Sequence, residues 1–125
     1  MSSPRLYICT ADLKGACPQQ VELFVRTFKS GRVKINARNM AKARLAGLDV
    51  LWLEWLLPKR VRARWYRDME LAWDGYCRAL TRARNQCIAG AMTKAEHRRA
   101  SFKAFANHCR ALDAALISAL TGVAK

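Results

Sequence analysis

Acidic residues are scarce in this chain of 125 residues: nine Asp and Glu stand against twenty-three Lys and Arg. The carboxylates are few and scattered, so acid–base chemistry that needs a close pair of them has no evident seat. There is no Gly-rich loop to cradle phosphate and no Cys-x-x-Cys pair. Histidine occurs only twice, as His97 and His108. Cys77 and Cys87 lie on one predicted helix, roughly 15 Å apart by helical rise, too far to share an ion. His108 and Cys109 are adjacent and point apart. The expectation is therefore a protein that is not an enzyme and holds no metal and no cofactor. Long apolar runs are missing too. The most apolar stretch, residues 45–57, is interrupted by Asp49 and Glu54 and falls short of the ~20 residues that cross a bilayer, so no membrane partner is expected. Glycine and proline number six and three, and no repeat or low-complexity tract appears.

The five cysteines are odd in number. Met1, Ser2, Ser3, Pro4 and Arg5 do not open a secretory signal. Both features point to a reducing cytoplasm with the thiols serving as small core residues. Hydrophobic residues make up 52% of the chain, which excludes a disordered polyelectrolyte. A compact domain with a net charge of +14 carries self-repulsion that an acidic partner relieves. Nucleic acid, an anionic membrane surface and an acidic protein all qualify, and a soluble basic protein with no such partner is the plain alternative.

Ala, Leu and Arg dominate, and all favour helices. The fold class read from the pattern is mostly α, as a single domain over residues 1–125. Short N-terminal helices with a two-stranded ribbon (1–57) pack on a long antiparallel helical hairpin (58–125). The ribbon comes from residues 5–10 and 32–35, short and partly alternating. Pro18 suits a first helical turn, with Val21, Phe24, Val25 and Phe28 on one face and Gly31 at the end. Asn36 caps a second helix over 37–46, closed by Gly47. Asp49 caps a third over 50–57, with Leu48 and Leu53 as a hydrophobic staple. In the fourth helix Val61, Trp65, Met69, Ala72, Tyr76, Leu80, Ala83 and Cys87 fall on one face for about seven turns. Thr93 and Glu96 form a capping box. Beyond it, Phe102, Phe105, Cys109, Leu112, Leu116, Ala119 and Val123 step in near-heptad order.

With Val61 at zero and 100° per residue, Arg60, Arg64, Arg67, Arg78 and Arg82 fall at about 240–300°, away from the apolar face. From Arg60 to Arg82 the rise is roughly 33 Å, about one turn of duplex. Arginine presents a planar fork that grips phosphate or carboxylate bidentately and keeps its charge. Asp68, Glu70 and Asp74 are too few to neutralise the stripe, although a merely solvated face is the competing reading. Lys94, Arg98, Arg99, Lys103 and Arg110 add a second basic patch on the last helix. Trp52 and Trp55 read either as core or as a protein-binding face.

Residues 37–57 also match the spacing of a helix-turn-helix, with Gly47 as the turn glycine. The would-be recognition helix, DVLWLEWLL, has no Arg, Lys, Asn or Gln to reach base edges. A sequence-specific regulator of that type is the alternative reading, beside a small structural or assembly protein.

In the stretch LKGACPQQVELFVRTF, the residues Gly15-Ala16-Cys17, Gln20, Phe24 and Phe28 precede a capped helix. Gly47-Leu48-Asp49 and an apolar helix follow. Over about residues 13–57 the sequence resembles small uncharacterised proteins encoded by phages and prophages. Trp73-Asp74-Gly75-Tyr76 and its neighbours look like the Ala/Arg/aromatic helices that follow in such proteins, although here the helix does not repeat. The resemblance implies a mobile-element accessory factor in the cytoplasm of a bacterial host. By analogy of size and origin, an anti-CRISPR-type inhibitor of host defence is one form it takes. The expected partners are nucleic acid or an acidic nucleoprotein complex of the host. The near-heptad seam and the tryptophan helix each offer a surface for a second copy of the chain.

Overall fold

The computed structural model describes residues 5–122. In chain order it contains β1 (Tyr7–Cys9), a 3-10 turn (Thr10–Leu13), α1 (Pro18–Thr27), β2 (Arg32–Lys34), α2 (Ala37–Leu45), a 3-10 segment (Val50–Leu56), α3 (Lys59–Ile88) and α4 (Lys94–Thr121). The mostly helical architecture, with a small antiparallel ribbon and a long antiparallel α3–α4 pair, is the one the pattern gave. The chain forms two compact units: residues 5–65 together with 113–122, and Tyr66–Leu112.

In the first unit β1 and β2 pair antiparallel, with Ile8 opposite Val33. A ribbon this short is stable only on a packed support. The support is a core of Ile8, Leu13, Phe24, Phe28, Ile35, Met40, Val50, Leu57 and Trp65, joined by Ala115, Leu116 and Leu120 from the end of α4. The Arg5 N–H donates to the Leu120 carbonyl at 2.9 Å. These contacts place the last turns of α4 with the N-terminal segment, so the unit boundary falls within α3 rather than at residue 57.

Pro18 occupies the first turn of α1, where a missing N–H costs nothing. The helix ends at Thr27, earlier than expected, where Phe28 leaves helical geometry, its ring centre 5.4 Å from that of Phe24. Gly31, expected to end the helix, instead shapes the turn into β2 at φ +72°. Its carbonyl accepts from the Thr10 N–H at 3.0 Å. A Cβ there would meet Thr10 Oγ1 at 3.2 Å.

Asn36 caps α2 as expected, its Oδ1 accepting from the Asn39 N–H at 2.8 Å. The third α-helix is a correction. Residues Val50–Leu56 form a 3-10 helix, and the Asp49 side chain makes no capping bond. With Pro58 closing the segment, i→i+3 bonds take over: Trp52 N–H to Asp49 O at 3.2 Å, and Leu57 N–H to Glu54 O at 3.0 Å.

The second unit is the hairpin proper. Gly90, at φ +79°, ends α3 in a Schellman arrangement. Its N–H donates to Cys87 O at 3.1 Å, and the Ala91 N–H donates to Gln86 O at 2.9 Å. The capping box forms reciprocally, with Thr93 N–H to Glu96 Oε1 and Glu96 N–H to Thr93 Oγ1, each 3.1 Å. Every residue of the expected α3 face, from Val61 to Cys87, is buried or half-buried. On α4, Cys109, Leu112, Leu116 and Ala119 turn inward, but Phe102 and Phe105 do not. Ala104 is buried in their place, because a small residue there lets the helices close while His108 packs across to α3. Val123 lies outside the described residues.

Candidate functional site

Helical rotation decides which side chains of the hairpin meet solvent. Positions near 0–80° on α3, including Ala72, Tyr76 and Ala83, face α4, so positions at about 240–300° point away from it. There the structure places Arg67, Arg78 and Arg82, all exposed. They cover about 22 Å of helix between first and last. Arg60 and Arg64, on the opening turns of α3, belong to the first unit and are likewise exposed.

The basic residues of α4 do not form one patch. By the same rotation Arg99 and Lys103 share its outer side with Arg110, whereas Arg98 and Lys94 lie about 100° or more from Arg99. Lys94, Arg98, Arg99 and Lys103 are all exposed. Among the described residues, none of these nine basic side chains is engaged in an ion pair. Arg99 comes nearest, its charge helping to hold the Glu96 carboxyl below its ordinary range. Hydrogen bonds from the Thr93 backbone and hydroxyl are the larger causes.

Several cations of the first unit are occupied differently. Arg5 pairs with Asp12 at 2.7 Å and Arg26 with Glu22 at 2.9 Å, and Arg44 pairs with Asp113. The Arg32 guanidinium lies 3.8 Å from the centre of the Tyr7 ring, and Lys42 lies 5.5 Å from that of Phe28. Arg62 donates to the Leu57 carbonyl at 3.0 Å and stands 5.3 Å from the Trp55 ring. These groups build structure.

The two tryptophans proposed for protein contact part company. Trp52 is half-buried beside a cavity of about 150 Å³ that Leu13, Phe24, Met40, Val50 and Leu53 also line. Trp55 is 61% exposed. The helix-turn-helix reading fails here, since the would-be recognition helix is a 3-10 segment anchored by buried Val50.

The hairpin also carries a cluster around His108, a residue that the sequence raised only as a candidate metal ligand. Tyr76 stacks on His108, centroids 5.1 Å apart and planes at 22°. Trp73 meets the His108 ring edge-on at 5.8 Å and Tyr76 at 5.7 Å, and Phe105 meets Tyr76 at 6.1 Å. His108 Nδ1 lies 3.3 Å from the Ala72 carbonyl. A carbonyl only accepts, so this contact is a hydrogen bond in the tautomer that protonates Nδ1. The signal was legible: in an antiparallel hairpin turning at Gly90, residues equally far from the turn come opposite, and 76 pairs with about 105–108.

Among the described residues no three His, Cys, Asp or Glu side chains gather as a metal site would need. Also among them, no helix is long and apolar enough to cross a membrane. All five cysteines are free. Set against protein-family models, curated proteins and solved structures, the chain matches none of them.

Proposed function

We propose that this chain is a non-enzymatic nucleic-acid-binding protein that holds phosphates through the basic side chains of its α3–α4 hairpin. The observation that carries the reading is the state of Arg67, Arg78 and Arg82: exposed, co-aligned on one side of α3, and without an ion-pair partner among the described residues. Three guanidinium forks in a row match a phosphate backbone better than a single anion. Base readout is not part of the reading, because Val50–Leu56, the would-be recognition segment, carries no Arg, Lys, Asn or Gln. In the setting that the phage resemblance implies, the protein acts as a mobile-element accessory factor in a bacterial cytoplasm.

Fluorescence anisotropy with a labelled duplex tests this. Affinity should fall steeply between about 50 and 200 mM salt. Changing Arg67, Arg78 and Arg82 together to Glu should abolish binding while the helical circular dichroism stays intact. Unchanged affinity in the triple variant would reject the reading.

A host nucleoprotein complex as the target is a second reading, favoured by exposed Trp55 beside the Arg62 guanidinium. Tryptophan and arginine together are the residue types that anchor protein interfaces. It requires a partner protein that co-purifies after nuclease treatment and is lost in Trp55→Ala.

A further inference from the structure

The hairpin has a second exposed flank that the phosphate-binding reading leaves unused. Trp73 is 55% exposed, Phe105 53% and Phe102 69%, although each is large and apolar. On α4, Arg98, Phe102 and Phe105 fall within about 60° of one another, and on α3 Arg84 falls about 20° from Trp73. Arg84 and Arg98 are both exposed. The rings of Trp73 and Phe105 are held through their contacts with Tyr76 and His108. They stand pre-ordered, with less rotamer freedom left to lose on binding.

What covers this flank must be flat, apolar in part and anionic. A second copy of the chain fits poorly. It would bring another +14 against this one, with Arg84 and Arg98 among like charges, and the residues of the α4 seam, Leu112 and Leu116, are already buried within the chain. A duplex fits poorly as well, because its bases are stacked inside and offer no faces to a ring. Unpaired bases on a phosphate backbone meet both demands: every base has a π-face, and guanidinium groups between rings answer the phosphates.

We infer that the Trp73–Phe105–Phe102 flank is a stacking platform for the bases of single-stranded nucleic acid, with Arg84 and Arg98 holding the adjacent phosphates. The inference rests on the nucleic-acid reading above and deepens it by naming the strand state of the ligand. The single strand takes the aromatic flank, while the Arg67–Arg78–Arg82 side supplies the strand-independent attraction.

The test compares three labelled probes of about 30 nucleotides, oligo(dT), oligo(rU) and a mixed-sequence duplex, by anisotropy at about 50 mM salt. The full chain should bind at least one single strand about tenfold more tightly than the duplex, with Trp73 emission quenched. The two single-stranded arms assign DNA or RNA. Trp73→Ala with Phe102→Ala should erase the single-strand preference and leave duplex affinity unchanged. Phe102 makes no ring contact with the cluster, so Phe102→Ala alone should weaken single-strand binding severalfold even where the double variant is poorly folded. Equal affinity for single strand and duplex, or a preference that survives Phe102→Ala, would overturn the platform and leave the phosphate-binding reading standing. Failure of all three probes to bind would remove that reading itself.

Discussion

The two units of this protein differ in how much of their positive charge is tied into the fold. In the first, several guanidinium groups are tied into the fold, Arg5 to Asp12, Arg44 to Asp113, Arg32 over Tyr7 and Arg62 to the Leu57 carbonyl, while Arg60 and Arg64 stay exposed. In the second, Arg67, Arg78, Arg82, Arg84, Arg98 and Lys103 project into solvent with no ion-pair partner among the described residues. The division extends to apolar groups. The first unit buries Phe24, Phe28, Leu57, Trp65 and Leu116, while between Tyr66 and Leu112 only Ala83, Ala104 and Leu112 are buried. That hairpin leaves Leu71, Trp73, Ile88, Phe102 and Phe105 exposed. The first unit puts more of its large side chains into a core, although Leu45 and Trp55 stay exposed there, and the second keeps most of its cations and the Trp73, Phe102 and Phe105 rings facing outward. An element with few buried apolar side chains that retains exposed rings and unpaired cations is built as a surface.

The sharpest way to break this contrast is a pair of tryptophan substitutions. Trp65 is completely buried, and its indole N–H donates to Glu54 Oε2 at 3.1 Å. Trp65→Ala should destabilise the first unit by about 3–5 kcal/mol, read as a loss of midpoint in urea denaturation. Trp73→Ala, at an exposed site, should cost about 1 kcal/mol or less by the same measurement. Comparable costs at the two positions would show that the hairpin rings serve cohesion after all.

An arginine pair sharpens the same point. Asp113 is mostly shielded from solvent, and Arg44 is its ion-pair partner. Arg44→Ala strands that carboxylate and should lower stability by about 1–3 kcal/mol. Arg78→Ala should leave stability within about 0.5 kcal/mol while reducing the salt slope of nucleic-acid binding by about one. Equal stability losses would erase the distinction between structural and outward-facing cations.

Much of this division was legible in the sequence wherever one local rule governed. The α3 face from Val61 to Cys87, the Asn36 cap and the Thr93–Glu96 box each follow from period or capping chemistry, and each stands in the structure. The exposure of the arginine stripe followed from the same 100° rotation. What was lost depended on tertiary partners. Residues 50–57 have helix-compatible composition, but Val50–Leu56 closes i→i+3 and the Asp49 side chain forms no cap. Phe102 and Phe105 fit a heptad, yet the interface selected Ala104 and His108, because the closest approach of two backbones favours the small residue. The aromatic cluster joins residues 29 to 35 positions apart and needed the hairpin's register to be visible.

The capping box offers a smaller, local test of how independently the hairpin holds its own ends. Thr93 Oγ1 accepts from the Glu96 N–H at 3.1 Å. Thr93→Ala should cost about 1 kcal/mol, visible as faster amide exchange in the first turn of α4. The Gly90 turn beside it should keep its protection. Loss of protection spreading into residues 5–57 would mean that the two units share one cooperative transition, and the contrast between them would weaken.

The smallest effect is also the most specific to this corner of the molecule. Glu96 ionises below its ordinary range because the Thr93 backbone N–H and hydroxyl favour the carboxylate, with the Arg99 charge adding to them. A carboxyl whose folded value is depressed contributes stability at pH above its unfolded value. That contribution drains away as pH falls from the unfolded value through the folded one. The first turn of α4 should therefore loosen on acidification within the window just below the usual glutamate range. It should be insensitive to pH between 6 and 8, far above that window. Side-chain carboxyl titration by NMR reads this directly. Thr93→Ala should move the Glu96 midpoint back up toward the ordinary value, and Arg99→Gln should move it in the same direction by less, since hydrogen bonding is the larger cause. A midpoint that shifts more in Arg99→Gln than in Thr93→Ala would mean that Arg99 is held by Glu96 rather than left free on the outer side of α4, and would remove it from the set of cations offered to a partner.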